Sequence, residues 1–154
     1  MFTEKKPSAS RVALVGCSAS KLKHPAEARE FYTSQLFRAS YTFAEKTCDA
    51  VLIVSALYGV VAPNSVLQPY DRSLRTLRKS ERENWGVHVV GQLLPRFKTP
   101  PQLVLLAGKI YADALMYGAH WHDLPRPEQP LRGIVGCGVR VSWLKTKTQQ
   151  DRPA

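Results

Sequence analysis

Cys17, Ser18, Ser20 and Lys21 stand close together, straight after the apolar run RVALVG at Arg11–Gly16. Small residues at the end of a strand let successive backbone N–H groups turn toward one point and cradle an anion, and Lys21 adds a full charge. Gly16, Cys17, Ser18 and Lys21 are therefore candidate phosphate-binding residues. The GxxxxGK[ST] spacing of a nucleoside-triphosphate loop is absent. A plain tight turn with an exposed lysine fits the same residues. Cys17 is a nucleophile only if such a cradle stabilises its thiolate.

Two further clusters have the same form. Ser55, Tyr58 and Gly59 follow the apolar run 50–54, and Gly108 and Tyr111 follow the run 103–106. From Ser55 the chain reads SALYGVVAPNSVLQPY, which places Tyr58 and Tyr70 in one stretch. Each tyrosine can offer a ring to a base or a hydroxyl to a sugar or phosphate, or can simply pack the stretch onto a sheet. Gly59 permits a positive φ or a close ligand approach. Asp71 is the best-placed carboxylate for a general base or for holding a ribose or base edge, with helix capping as its competing role. Asp71, Tyr58 and Lys21 are thus the catalytic candidates. Ser55, Gly59, Tyr70, Gly108 and Tyr111 join the binding set, and Arg29 is added as a side chain able to reach the 16–21 loop.

Arg72, Arg75, Lys79 and Arg82 recur at spacings that place them on one stripe of a helix. Such a stripe can follow a nucleic-acid backbone, each contact adding salt dependence rather than sequence reading. A solvated face softened by Glu81 and Glu83 is the competing account. His120 and His122 stand two apart, but a zinc site needs a third ligand and an open position. No metal and no cofactor are expected.

These residues need elements to hold them. Three runs of strand length, buried on both faces and separated by helical patterns, point to a parallel sheet. In such sheets ligands bind at the carboxyl ends of the strands. The expected fold is a three-layer α/β domain with a short, mostly parallel sheet flanked by helices, Rossmann-like or uracil-DNA-glycosylase-like. Thr33 or Ser34 caps a helix carrying Phe37, Tyr41 and Ala44. Residues 59–70 read as an ordered loop. A long helix starts after Asp71 or Ser73 and stops at Pro95, with Gly86 and Gly91 predicting a kink or two pieces. Gly108 opens another helix. Residues 120–130 form a Pro-rich loop, and residues 133–145 form a closing helix or a strand, the helix being favoured.

A length of 154 residues predicts one domain over 11–148, with a polar arm at 1–10 and a flexible tail at 149–154. The formal charge of +10 suits a polyanionic partner, nucleic acid or nucleotide first. No stretch approaches the ~20 apolar residues needed to cross a bilayer, and the polar start lacks a signal-peptide core. No membrane partner and a cytoplasmic location are expected. Cys17, Cys48 and Cys137 are an odd set at wide spacing, which argues against a disulfide framework. Cys48 and Cys137 read as buried thiols.

SALYGVVAPNSVLQPYDRSL resembles the signature of the bacterial peroxide-stress protein YaaA family. GCSASK, YTSQLF and the ending PLRGIVGCGVRVSWL resemble a family of small uncharacterised bacterial and phage proteins over most of residues 11–145. The Cys-Ser-x-x-Lys element is similar to one in the archaeosine synthase family, in a domain that modifies a deazaguanine base of tRNA. Two departures stand out. Leu57-Tyr58 occupies the place of a Lys-His pair, and Lys21 is followed by Leu22-Lys23 rather than Pro-Tyr. The resemblance implies an α/β domain associated with DNA or modified nucleobases. The expectation is an enzyme cleaving or modifying a nucleobase, a glycosidase-type hydrolase or a base-modifying enzyme with a link to stress response. A non-catalytic DNA- or RNA-binding protein is the alternative, and a small-nucleotide sensor a third.

Overall fold

Val12 and Leu14 leave the first strand on one side and Ala13 and Val15 on the other, and all four are fully buried. A strand buried on both faces must be covered on both. A computed structural model describes residues 10–150 and shows how. In chain order the elements are β1 (Arg11–Gly16), β2 (Ala26–Glu27), α1 (Ala28–Phe31), α2 (Gln35–Thr47), β3 (Ala50–Ser55) and β4 (Gly59–Val61). They continue with β5 (Val66–Leu67), α3 (Lys79–Leu93), β6 (Gln102–Leu106), α4 (Lys109–Trp121) and α5 (Cys137–Gln150).

The main sheet has the order β4-β3-β1-β6, with β1 parallel to both neighbours and β4 antiparallel to β3. Phe37, Phe43 and Ala44 of α2 and Val141 and Leu144 of α5 cover the Ala13–Val15 face. Val89 and Leu93 of α3 and Ala112 and Leu115 of α4 cover the Val12–Leu14 face. This is the expected mixed α/β architecture, a mostly parallel sheet between helices. From β1 the chain crosses to β3 on one side and later returns to β6 on the other. The strand order therefore reverses between β1 and β6, and a crevice opens at their carboxyl ends.

Local chemistry sets the element ends. Ser34 caps α2, its Oγ accepting from Phe37 N–H at 3.0 Å. Gly108 precedes α4 without a side-chain cap, so the first-turn N–H groups of that helix face the crevice with no side-chain acceptor. α3 runs as one helix through Gly86 and Gly91 rather than as two pieces. Glycine serves close packing there: a Cβ on Gly86 would fall 1.9 Å from the Ala114 carbonyl oxygen, and one on Gly118 would fall 2.3 Å from that of Gly86. α3 and α4 cross backbone to backbone.

Several expectations are corrected. Residues 59–70 contain β4 and β5, because Gly59 at φ 73° turns β3 back on itself and Val66-Leu67 pairs with Ala26-Glu27. α3 starts at Lys79, since Ser73 caps a separate 3-10 turn over Leu74–Thr76 and Leu77 and Arg78 are extended. The Glu81 carboxylate then accepts from Arg78 N–H at 2.9 Å, fixing the real start. Residues 120 and 121 belong to α4 and residues 149 and 150 to α5, extending helices into the expected loop and tail. Of the 133–145 stretch favoured as a helix, 137–145 are helical, while positive φ at Gly133 and Gly136 keeps 133–136 a loop. The polar arm lies outside the described residues apart from Ser10, whose carbonyl accepts from Gln102 N–H at 2.8 Å. Among the described residues no helix is long and apolar enough to cross a membrane.

Gly86→Ala is expected to destabilise the fold by about 1–3 kcal/mol or more, because the new methyl meets backbone rather than a side chain that can swing away. An exposed helical Gly→Ala change normally stabilises by up to about 1 kcal/mol. Urea unfolding read by circular dichroism checks the sign.

Candidate functional site

Ser55 is the last residue of β3 and its side chain is fully buried. Its Oγ accepts from Leu57 N–H at 3.1 Å and from Tyr58 N–H at 3.0 Å, closing the turn into β4. With both lone pairs of Ser55 so occupied, its hydroxyl proton goes to Tyr70 Oη at 2.8 Å. Tyr70 Oη in turn shares a hydrogen bond with Tyr32 Oη at 2.7 Å. A chain of hydroxyls thus links β3, the Gln68–Tyr70 segment and the residues between α1 and α2. The Ser55 carbonyl accepts from Trp85 Nε1 at 3.3 Å and brings in α3.

The Tyr70 ring is held on every side. Phe31 stacks on it at 6.2 Å, Tyr58 meets it edge-on at 5.3 Å, and Lys21 Nζ lies 4.7 Å from its centroid. Lys21 arrives there because its backbone bridges to Tyr32, while Ala28 N–H and Arg29 N–H donate to the Ser65 and Pro63 carbonyls. The small β2–β5 pair holds the two loops together. Tyr58 donates its hydroxyl to the Gln68 carbonyl at 3.2 Å and keeps part of its ring exposed. Asp71, next to Tyr70, is exposed.

The phenols here stay neutral. Desolvation raises Tyr32 to about 12, helped by the neighbouring Cys17 thiol and opposed by its hydrogen bond with Tyr70. Desolvation and Cys17 also push Tyr70 up, and Tyr111 shifts the same way for the same two reasons. Tyr111 accepts from Leu74 N–H at 3.3 Å and meets Trp85 edge-on at 5.6 Å. Cys17, half-buried, therefore sits among three protonated tyrosines.

On its other side Cys17 lines a hollow of about 50 Å³ with Gly16, Ser18, Ser34, Ala107 and Gly108. This is the reversal point between β1 and β6. Gly16 is required for closeness: a Cβ there would lie 2.7 Å from the Ala107 Cβ. Cys17 N–H donates to the Val54 carbonyl, whereas Ser18, Ala19 and Ser20 N–H groups donate to no backbone carbonyl among the described residues. Ser18 Oγ donates to the Ser20 carbonyl at 2.8 Å and stiffens the loop. Ser18 and Gly108, at the N-terminus of α4, line the same hollow, where helix-end N–H groups carry the positive end of the dipole.

The expected residues therefore fall into three groups. Lys21, Ser55, Tyr58, Gly59, Tyr70 and Asp71 share the β3 end of the sheet rim, Gly16, Ser18 and Gly108 share the β1–β6 end, and Cys17 and Tyr111 lie between. Arg29 instead pairs with Glu27 at 2.6 Å. The four cations do not form one helical stripe: Arg72 is in a loop, Arg75 is in the 3-10 turn, and only Lys79 and Arg82 are in α3. Arg82 donates Nε to the Leu74 carbonyl at 3.0 Å, holding that turn. His122 ends α4 with its Nε2 at 2.9 Å from the Val87 carbonyl. Cys137 is exposed rather than buried, because it opens α5 straight after Gly136. Tyr32 was not singled out by sequence reasoning; its signal lay in YTSQLF, between an aromatic and a helix cap.

A family model described as DUF6884, a family of unknown function, matches residues 12–146. The chain belongs to that family. No curated protein matches it. The matched span takes in β1, the Ser55–Tyr70–Tyr32 chain, the β1–β6 hollow and most of α5.

Ser55→Ala leaves two N–H groups and the Tyr70 hydroxyl without their partner, and is expected to cost about 2–3 kcal/mol in urea unfolding. Alkali probes the same network. Tyr32 is raised from 10.0 to about 12 in the folded chain, so the unfolded chain loses its proton first. The stability this phenol contributes is complete below pH about 10 and is lost as pH rises through about 12. Phenolate absorbance in a pH titration should show Tyr32, Tyr70 and Tyr111 ionising late and together with loss of ellipticity; early ionisation of all six tyrosines would contradict it.

Proposed function

We propose that this protein is an enzyme acting on a nucleobase, in a nucleotide or in nucleic acid, at the rim formed by Lys21, Tyr58, Tyr70 and Asp71. The observation that carries this reading is the meeting of Lys21 and Tyr58 on the ring of Tyr70, with an exposed carboxylate on the next residue. The likeness of residues 55–74 to the YaaA signature, and of the Cys-Ser-x-x-Lys element to a base-modifying domain, supports the same substrate class. So does the charge of +10.

Each group has a role set by its surroundings. The half-exposed Tyr58 ring stacks on the base, a sequence-tolerant contact of about 1–3 kcal/mol. Lys21 and the N–H groups of the 18–20 loop neutralise a phosphate. Tyr70 positions both neighbours, since its own hydroxyl is spent on Tyr32. Asp71 activates water at the glycosidic carbon or orients the sugar. If the base comes from a duplex, its extrusion costs a few kcal/mol, which the stacking offsets.

A non-catalytic nucleic-acid-binding protein is the second reading, favoured by the exposure of Arg72, Arg75 and Lys79 beside the rim. The two separate by turnover. A thermal-shift screen of nucleotides, modified nucleosides and short oligonucleotides, followed by mass spectrometry of each hit, should reveal a released or altered base. Asp71→Asn should then lower turnover by about 10²–10⁴-fold with binding retained. Unchanged ligand after long incubation, with binding abolished by salt, would leave only the binding protein.

A further inference from the structure

A much larger cleft, of about 800 Å³, shares the wall residues Leu36, Ala107 and Leu131 with the β1–β6 hollow. Its walls come from α4, from the segment that follows α4 and from the start of α5. Leu105, Met116 and Leu131 give it an apolar floor, and Arg126, Arg132 and Arg140 stand around it. None of the ion pairs among the described residues uses these arginines. Lys109 and Asp113, also in the wall, pair with each other at 2.7 Å and cancel. The remaining charge is positive.

The walls are held in place. Glu128 bridges to Val104 in parallel, exchanging bonds of 2.8 and 2.9 Å with Leu103 and Leu105, so the Arg126 segment follows the edge of β6. Gln102 Nε2 donates to the Arg126 carbonyl at 2.9 Å. Arg140 Nε donates to the Ile134 carbonyl at 2.7 Å, which aligns one guanidinium and leaves its other N–H groups unspent. Gly133 at φ 84° and Gly136 at φ 100° bend the loop between them around the opening. The PLRGIVGCGVR stretch is thereby a wall rather than a linker.

We propose that this cleft binds a phosphorylated nucleoside, with Arg126 and Arg132 on the phosphate and the apolar floor under the base or sugar. Guanidinium groups engage phosphate through two parallel hydrogen bonds, which favours them over lysine for this task. A volume of about 800 Å³ far exceeds an isolated phosphate and falls within the ~300–1,000 Å³ of ligand sites. The cleft deepens the nucleobase-directed function above: it places the flanking phosphate on Arg126 and Arg132 rather than on Arg72, Arg75 and Lys79. The ligand comes as a free nucleotide or as one unit of a single strand.

The full chain is titrated with a short fluorescein-labelled oligothymidylate between about 50 and 200 mM salt, with thymidine monophosphate as competitor. R126Q/R132Q should weaken binding about tenfold or more and flatten the log–log salt slope by about 1.4, the share of two single-strand phosphate contacts. R72Q/R75Q should have the smaller effect. Bound ligand should also shield the exposed Cys137, which lines the cleft, from alkylation by iodoacetamide. Competition by the mononucleotide as strong as by the oligomer assigns the cleft to free nucleotides, and an advantage growing with length assigns it to a strand. Wild-type affinity and slope in R126Q/R132Q, or Cys137 alkylated at the same rate with ligand bound, overturns the proposal. Base release tested alongside keeps the two readings apart. Arginine-dependent binding without turnover sinks the enzyme and not the cleft, and turnover indifferent to the arginines does the reverse.

Discussion

The oxygen of one buried serine holds together parts of the chain that are far apart in sequence. Ser55 Oγ accepts two N–H groups of the turn after β3 and passes its proton to Tyr70, and the Ser55 carbonyl takes the indole N–H of Trp85. Four segments thereby converge on one residue: the β3–β4 turn, the Tyr70 loop, α3 and, through Tyr32, the entry to α2. In a low-dielectric interior such a chain is strong when every member is satisfied and costly when one is not. No buried side-chain nitrogen or oxygen among the described residues lacks a partner. The rim therefore inherits its geometry from neutral hydrogen bonds, and its charged members, Lys21 and Asp71, are placed by backbone rather than by pairing with each other.

That distinction explains which parts of the molecule could be read from the sequence. The strands β1, β3 and β6 announce themselves as apolar runs because burial on both faces leaves no room for polar residues. Ser34 and Gly108 mark helix starts because capping is a local matter between a residue and the next turn. β4 and β5 were hidden, since Pro63, Asn64 and Pro69 around them carry loop signals and only tertiary pairing with β3 and β2 makes Gly59–Val61 and Val66–Leu67 strands. The start of α3 was misplaced for a related reason: Ser73 is a true cap, but of a 3-10 turn that Arg82 reaches back to hold. Gly86 was read as a weakness, whereas its meaning lies in α4, which the local pattern cannot see.

The site shows the same division. Its members were visible as residues able to do chemistry at strand ends, because the carboxyl edge of a parallel sheet gathers whatever follows each strand. How they meet was not visible. That Tyr70 is a core hydroxyl and a ring platform at once depends on Tyr32 and Phe31, which belong to another segment, and on the β2–β5 pair. Arg126 was hidden within the Pro-rich 120–130 loop, and Arg132 and Arg140 lay beyond it, so no local pattern grouped the three before Glu128 was seen to pair with β6.

Charge completes the picture. The ion pairs among the described residues join exposed side chains, and such pairs contribute roughly 0–1 kcal/mol each. An excess of 22 cations over 12 acids thus gains little from ion pairing and works against compactness through self-repulsion. The polyanionic ligand proposed above is what this excess suits. Cys17 stands between the two regions: it neighbours the tyrosines of the Lys21–Asp71 rim, and it lines the hollow whose wall residue Leu131 also belongs to the arginine cleft. The nucleotide or nucleic-acid ligand proposed above has an aromatic part that suits the tyrosines and an anionic part that suits the unpaired cations.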